Sequence, residues 1–230
     1  MKNIAAVFNK QIKDTKKNKT VLIQFIMFPV MTIIMNSAVK IDNMPKNFFT
    51  ELFSVMYIGM APLVSSASIV SEEKEKGTLR ALLMAGVKPS EYLAGVGSYI
   101  WLACMLGSLI MVISGDYAPE IIPCFLAVMA VGFVFPLIIG TCVGVSAGTQ
   151  MAATSVSVPL MMTFSFLPML AMFNQKVEIV AKFTYTQQIQ VLLANIGCGI
   201  IKPDTWLILG VNGILAILLF VFVYKKSGLE

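Results

Sequence analysis

Histidine is absent from the sequence, and with it the usual general base for proton-transfer chemistry. Only 13% of residues are charged, while 57% are apolar. A soluble fold of this size cannot hide so much apolar surface, which excludes a globular cytosolic domain. No phosphate-binding loop of the form G-x-x-x-x-G-K-[ST] occurs, so the chain cannot hold ATP in that manner. Cysteine is scarce. Cys104, Cys124, Cys142 and Cys198 stand at no metal spacing, and neither a metal site nor a disulfide is expected. The first three read as packing residues at lipid depth.

What is present is a set of long apolar runs, six of them long enough to cross a bilayer: 21–39, 52–70, 93–113, 121–147, 153–173 and 206–224. Between Glu120 and Lys176 there are 55 residues without a charge. As one helix they would extend roughly 80 Å, too long for one span and right for two. The break is placed at Gly148-Thr149-Gln150. Gly59 and Pro62 suggest a kink in the second span, and Pro159 and Pro168 suggest bends in the fifth. The expected fold is all-α: a single polytopic membrane domain over residues 1–230.

None of the six runs contains Asp, Glu, Lys, Arg or His. A proton- or sodium-coupled carrier normally keeps such a group at depth, so this absence argues against one. The neutral polar residues at depth, Gln24, Asn36, Ser65, Ser66, Ser68, Thr154, Ser155, Ser157, Thr163 and Ser165, are expected to bond helix to helix. Gly144-Val145-Ser146-Ala147-Gly148 fits G-x-S-x-G, but without a base for the serine an enzyme is not expected. Gly140, Gly144 and Gly148 repeat every four residues and read better as a helix-packing stripe.

Residues 1–19 carry Lys2, Lys10, Lys13, Lys16, Lys17 and Lys19 against Asp14 alone. Ile4, Val7, Phe8, Gln11 and Ile12 form a stripe, and the segment reads as an interfacial helix along the inner leaflet or as a plain basic anchor. A cleavable leader ending near Asn36-Ser37-Ala38 is the rival reading, disfavoured by the length of the basic region. Six spans put both termini on one side. With the ends inside, twelve Lys and Arg are cytosolic and five are outside, namely Lys40, Lys46, Lys176, Lys182 and Lys202. The positive-inside rule therefore selects cytoplasmic termini. The net charge of +5 points to anionic membrane lipids rather than nucleic acid.

The one strongly charged interior segment is 71–92, S-E-E-K-E-K-G-T-L-R-A-L-L-M-A-G-V-K-P-S-E-Y. Glu72 and Lys76 stand four apart, suited to a helical ion pair. Gly77 marks a break and Thr78 is expected to cap a short amphipathic helix, with Leu79, Leu82, Leu83 and Gly86 on one face. Pro89 and Ser90 are expected to stop it, and Ser90-Glu91 to start the next span. This segment resembles the one that follows the second span in ABC-2 type permeases, the membrane subunits of type V ABC exporters; Phe28-Pro29, ending a basic entry helix, resembles that family too. The resemblance implies a cytosolic coupling helix, with Glu72, Glu73, Lys74, Lys76, Gly77, Thr78, Leu79, Arg80, Leu82 and Leu83 facing a separate ABC ATPase subunit. ATP and magnesium would belong to that subunit, with no cofactor in this chain. A second permease subunit, identical or related, would complete the pathway. The second and fifth spans would face the substrate, which brings in Met56, Met60, Ser157, Met161 and Phe164. The resemblance also implies a re-entrant helical pair in 174–205, although the usual proline is missing from Phe183-Thr184-Tyr185-Thr186-Gln187-Gln188. Thr186 is the expected cap there, and Gly197, Gly199 and Pro203 the breakers. Met-rich apolar spans and the lack of a large outer domain suit export of a hydrophobic or amphipathic substrate such as a drug, antimicrobial peptide or lipid. The alternative is a self-contained channel or carrier with no ATPase partner.

Overall fold

The computed structural model describes residues 2–39, 45–196 and 203–226, and every described element is helical. Lys40, Asp42, Gly197, Cys198, Gly199 and Lys202 lie outside the described residues. The helices are α1 (Lys2–Lys17), α2 (Lys19–Ala38), α3 (Phe48–Glu75), α4 (Thr78–Met84), α5 (Pro89–Ser114), α6 (Ile122–Gly132), α7 (Val134–Ser146), α8 (Gln150–Ala171), α9 (Gln175–Ala181), α10 (Tyr185–Ala194) and α11 (Pro203–Lys226). Six stretches are long and apolar enough to span a membrane: α2, α3, α5, α6 with α7, α8 and α11. They coincide with the six runs read from the sequence. The chain is thus built as a multi-pass membrane protein.

The second span is the axis of the bundle. Of its most apolar window 83% is buried, against 11% for α11. Helix α3 packs on α2, α5, α7, α8 and α10. Tyr57, Ile58 and Leu63 are fully buried on it, while Ile23, Leu106, Ile214 and Phe222 on outer helices face outward. Among lipid tails, which are as apolar as leucine, burial supplies little drive between helices, so close contact and polar bonds must hold them. Both are found on α3. A Cβ on Gly140 would collide with the Leu63 carbonyl oxygen and the Ser66 hydroxyl, and one on Gly144 would come within 2.9 Å of the Ala67 carbonyl. Gly148 does not extend this stripe, because α7 ends at Ser146 and Gly148 lies exposed in the following turn with nothing near its Cβ position.

Polar residues divide into two groups. Ser65 donates to Gln24 at 2.9 Å, Asn36 to Thr50 at 2.9 Å and to the Ser114 carbonyl at 3.1 Å, and Ser165 to the Met56 carbonyl at 3.2 Å, each joining two helices. Ser66, Thr154, Ser155 and Thr163 instead bond back to carbonyls of their own helices. Ser157 is buried with no partner for its hydroxyl.

Helix α3 runs through Gly59 and Pro62 without a break, and Gly59 serves a close approach, since its Cβ would meet the Phe164 carbonyl carbon at 2.9 Å. Helix α8 likewise runs through Pro159 and Pro168, so any bend there lies within one helix. The fourth span does break, at Phe133, because Pro136 has no N–H to offer the Gly132 carbonyl. Thr149 caps α8, accepting from the Ala152 amide at 3.2 Å. Cys104 and Cys142 are buried and Cys124 is exposed, all three free.

Helices α9 and α10 form a pair that enters the bundle and returns. Tyr185 stacks on Phe135 at 5.2 Å and meets Phe164 at 5.0 Å, and the Phe183 carbonyl accepts from Asn212 at 2.9 Å. The turn between them is therefore level with the middle of α11. Thr184, not Thr186, holds the N-cap position of α10; its hydroxyl donates to the Ala181 carbonyl at 2.6 Å.

Gly140→Ala is expected to push α3 and α7 apart and cost about 1–3 kcal/mol, whereas Gly148→Ala should be neutral. Unfolding both variants in detergent would check this; equal stabilities would remove the close-approach role of Gly140.

Candidate functional site

The last turn of α3 and the α4 helix behind it carry the charges that the sequence concentrates at 72–88. The α3 helix continues to Glu75, and Gly77 then takes φ 72°, a left-handed conformation that favours glycine. Thr78 does not cap the next helix. It lies in the first turn of α4 and its hydroxyl donates back across the break to the Glu73 carbonyl at 3.1 Å. Gly86 does not extend the apolar face either: at φ 86° it closes α4, with the Gly86 amide on the Leu83 carbonyl at 3.0 Å and the Val87 amide on the Leu82 carbonyl at 3.1 Å. That paired pattern is the Schellman helix ending, which satisfies the last carbonyls. Pro89 opens α5 rather than stopping α4, as suits a residue without an N–H in a first helical turn. Glu91, three positions past the cap, accepts from the Lys88 amide at 3.1 Å and from Asn3 at 2.8 Å.

Four consecutive side chains at the end of α3 reach four different elements. Glu72 pairs with Lys76 at 2.5 Å and accepts from Asn18, in the α1–α2 connection, at 3.1 Å. The ammonium of Lys76 is raised by that bonded carboxylate. Glu73 turns inward and receives Lys10 and Gln11 of α1, the latter at 2.7 Å. Burial pulls the Lys10 ammonium down, but its bonds to Glu73 and Asp14 outweigh this and hold it above its ordinary value. Lys74 donates to the Val145 and Ala147 carbonyls at 2.7 and 3.1 Å, a cation on the C-terminal end of α7. Glu75 accepts from the Gln150 amide at 2.6 Å, an anion on the N-terminal end of α8. A cavity of about 390 Å³ lies beside this cluster, lined by Lys10, Asp14, Glu72, Glu73 and Lys76 among others.

Helix α1 is drawn against the protein by the same cluster. Val7, Gln11 and Thr15, one turn apart, are buried, and a Cβ on Gly95 would meet Val7 at 2.8 Å. The centre of its apolar stripe thus faces α5, not the surroundings.

The residues singled out from the sequence therefore separate. Leu79 is buried, Leu82 and Leu83 are half-buried against the core, and Glu73 is 7% exposed. Lys74 and Lys76 are exposed beyond their bonds, and Gly77, Thr78, Arg80, Ala81 and Met84 form the open surface, with Met84 79% exposed. On the second and fifth spans, Met56, Met60, Met161 and Phe164 are half-buried and Ser157 is buried. Met56 and Phe164 lie where α3 and α8 pack directly on each other. Lys10 and Gln11 entered the sequence reading only through the charge and stripe of the first segment, Gln150 only through the span break and Asn18 not at all; none was expected to meet the end of α3. Only the basic count of the first segment hinted that it needed acids elsewhere. The chain matches no protein-family model and no curated protein.

Glu73→Ala leaves the Lys10 ammonium without its buried partner and is expected to cost about 3 kcal/mol, loosening α1 first. Hydrogen exchange should rise across residues 3–15 while α8 stays protected; unchanged exchange in α1 would show that Glu73 does not hold it.

Proposed function

We propose that this chain is the permease half of an ATP-driven exporter of the ABC-2 type, moving a hydrophobic or amphipathic substrate out of the cytoplasm or inner leaflet. The observation that carries the reading is α4. It is a short amphipathic helix between the second and third spans, hinged on left-handed glycines at both ends, with an open face of Thr78, Arg80, Ala81 and Met84. A force applied there passes into α3, the most buried helix, and through Glu72 to Glu75 into α1, α7 and α8. Such a design suits a machine pushed from outside the membrane, and none of the six apolar runs read from the sequence contains an Asp, Glu, Lys, Arg or His of the kind that carries a coupling ion.

In this reading the motor is a cytosolic ABC ATPase that holds ATP and magnesium, and this chain catalyses no reaction. The bundle lies in the cell membrane with α4 and both termini on the cytoplasmic side. Glu73 and Leu79 support the coupling helix from within, and Arg80, Met84 and Lys76 meet the motor. Because α3 and α8 are packed together in one chain, the route for the substrate runs between two permease subunits. Met56, Met60, Ser157, Met161 and Phe164 tune how α3 and α8 slide.

Affinity-purified chain should bring with it a P-loop ATPase of about 25–35 kDa. Met84→Asp and Arg80→Glu, both at exposed positions, should cut ATP-dependent transport at least tenfold in vesicles with the fold intact. Transport by the purified chain alone, without nucleotide, would replace this reading with a self-contained channel or carrier.

A further inference from the structure

An apolar groove of about 480 Å³ runs between α7, α8 and α11, lined by Ile139, Cys142, Val156, Leu160, Phe164 and Leu219 among others. Among the described residues no further helix lines it. A second cavity of about 440 Å³ adjoins it at the end of the bundle that carries α4, and the two share Ser146 and Val223. The second cavity has a different character, since Lys74 and Lys226 line it and, among the described residues, no carboxylate does. Glu75, next to Lys74, is turned away to the Gln150 amide. Two of the three protons on the Lys74 ammonium go to the Val145 and Ala147 carbonyls, which leaves one donor for a ligand. Lys226 is exposed.

The geometry points to a binding site for one anionic glycerophospholipid, its acyl chain in the groove and its phosphate between Lys74 and Lys226. Charge selects the headgroup, because two lysines at the level where a helix leaves the hydrocarbon attract an anionic lipid and not a neutral one. Length selects the chain. From Ala152 to Phe164 the groove follows thirteen residues of α8, about 18 Å, close to the ~15 Å depth of one leaflet. The Lys74 ammonium joins the two parts, since it is bonded to the carbonyl of Ala147, which itself lines the groove. A lipid seated there would touch the end of α7, the start of α8 and, through Lys74, the last turn of α3. The inference needs the bundle to sit in a bilayer with this end in an anionic leaflet, and does not depend on an ATPase partner.

The test is native mass spectrometry of the purified chain in mild detergent with dioleoyl phosphatidylglycerol or dioleoyl phosphatidylcholine. The chain should retain one phosphatidylglycerol with at least about fivefold preference, the scale of one lysine at a membrane surface. Lys226→Gln should lower that preference about fivefold and Lys226→Arg should keep it. Ala152→Phe, at an exposed position, should reduce retention of both lipids by filling the groove. Equal retention of the two lipids, or unchanged retention in Ala152→Phe or Lys226→Gln, would overturn the site. A dimer that forms without lipid and is lost in Ala152→Phe would assign the face to a second copy and overturn it equally.

Discussion

The buried carboxylate of Glu73 on the Lys10 ammonium is the constraint from which the rest of this end of the molecule follows. An acid 7% exposed is costly to desolvate and is tolerated only with a bonded cation. Lys10 supplies it from α1, so the first helix cannot leave without stranding a charge. The neighbouring residues repeat the device with lower burial. Lys74 and Glu75 each meet a helix end of opposite partial charge, the C-terminus of α7 and the N-terminus of α8. One turn of α3 therefore fixes the relative positions of α1, α7 and α8, and the short α4 hangs from it across a single glycine.

Away from that end the described residues show one further ion pair, exposed Lys46 with exposed Asp116 at 3.7 Å, and the bundle interior is held by uncharged contacts. Gly140 and Gly144 let α7 approach the backbone of α3, and Gly59 does the same for α8. Ser65, Asn36 and Ser165 add interhelical bonds at different levels. Stiffness comes from contact along α3, and the apolar exterior of α2, α5 and α11 is left for the lipid. The most buried helix is thus also the one whose tip carries the charged hub, and displacement at the tip has no soft segment in which to dissipate.

Span positions were legible because runs free of charge are a long-wavelength signal, and even the 55-residue neutral stretch divided at the right turn. Shorter signals were less secure. The four-residue glycine repeat carries on through Gly148 although the helix stops two residues before it, and periodicity alone does not register that end. Pro89 and Gly86 are both helix breakers on paper; which one ends α4 and which opens α5 depends on the carbonyls of Leu82 and Leu83, visible only in space. Glu73 was legible as a charge but not as an interior one. Its partners lie 62 and 63 residues earlier, and no local pattern connects them. The family resemblance of residues 71–92 pointed to an outward role for Glu72, Glu73, Lys74, Lys76 and Arg80, and the packing divides them between inward ties and an open face.

The turn joining α9 to α10 has a bearing on biogenesis. Its Phe183 carbonyl sits at mid-bundle and takes its proton from Asn212, a residue synthesised 29 positions later. Until α11 has emerged from the ribosome and tilted into place, that carbonyl has no donor, and a bare peptide group is poorly tolerated in hydrocarbon. Seating of the α9–α10 turn and docking of α11 are therefore coupled, because the Phe183 carbonyl has Asn212 as its donor only when both are in place.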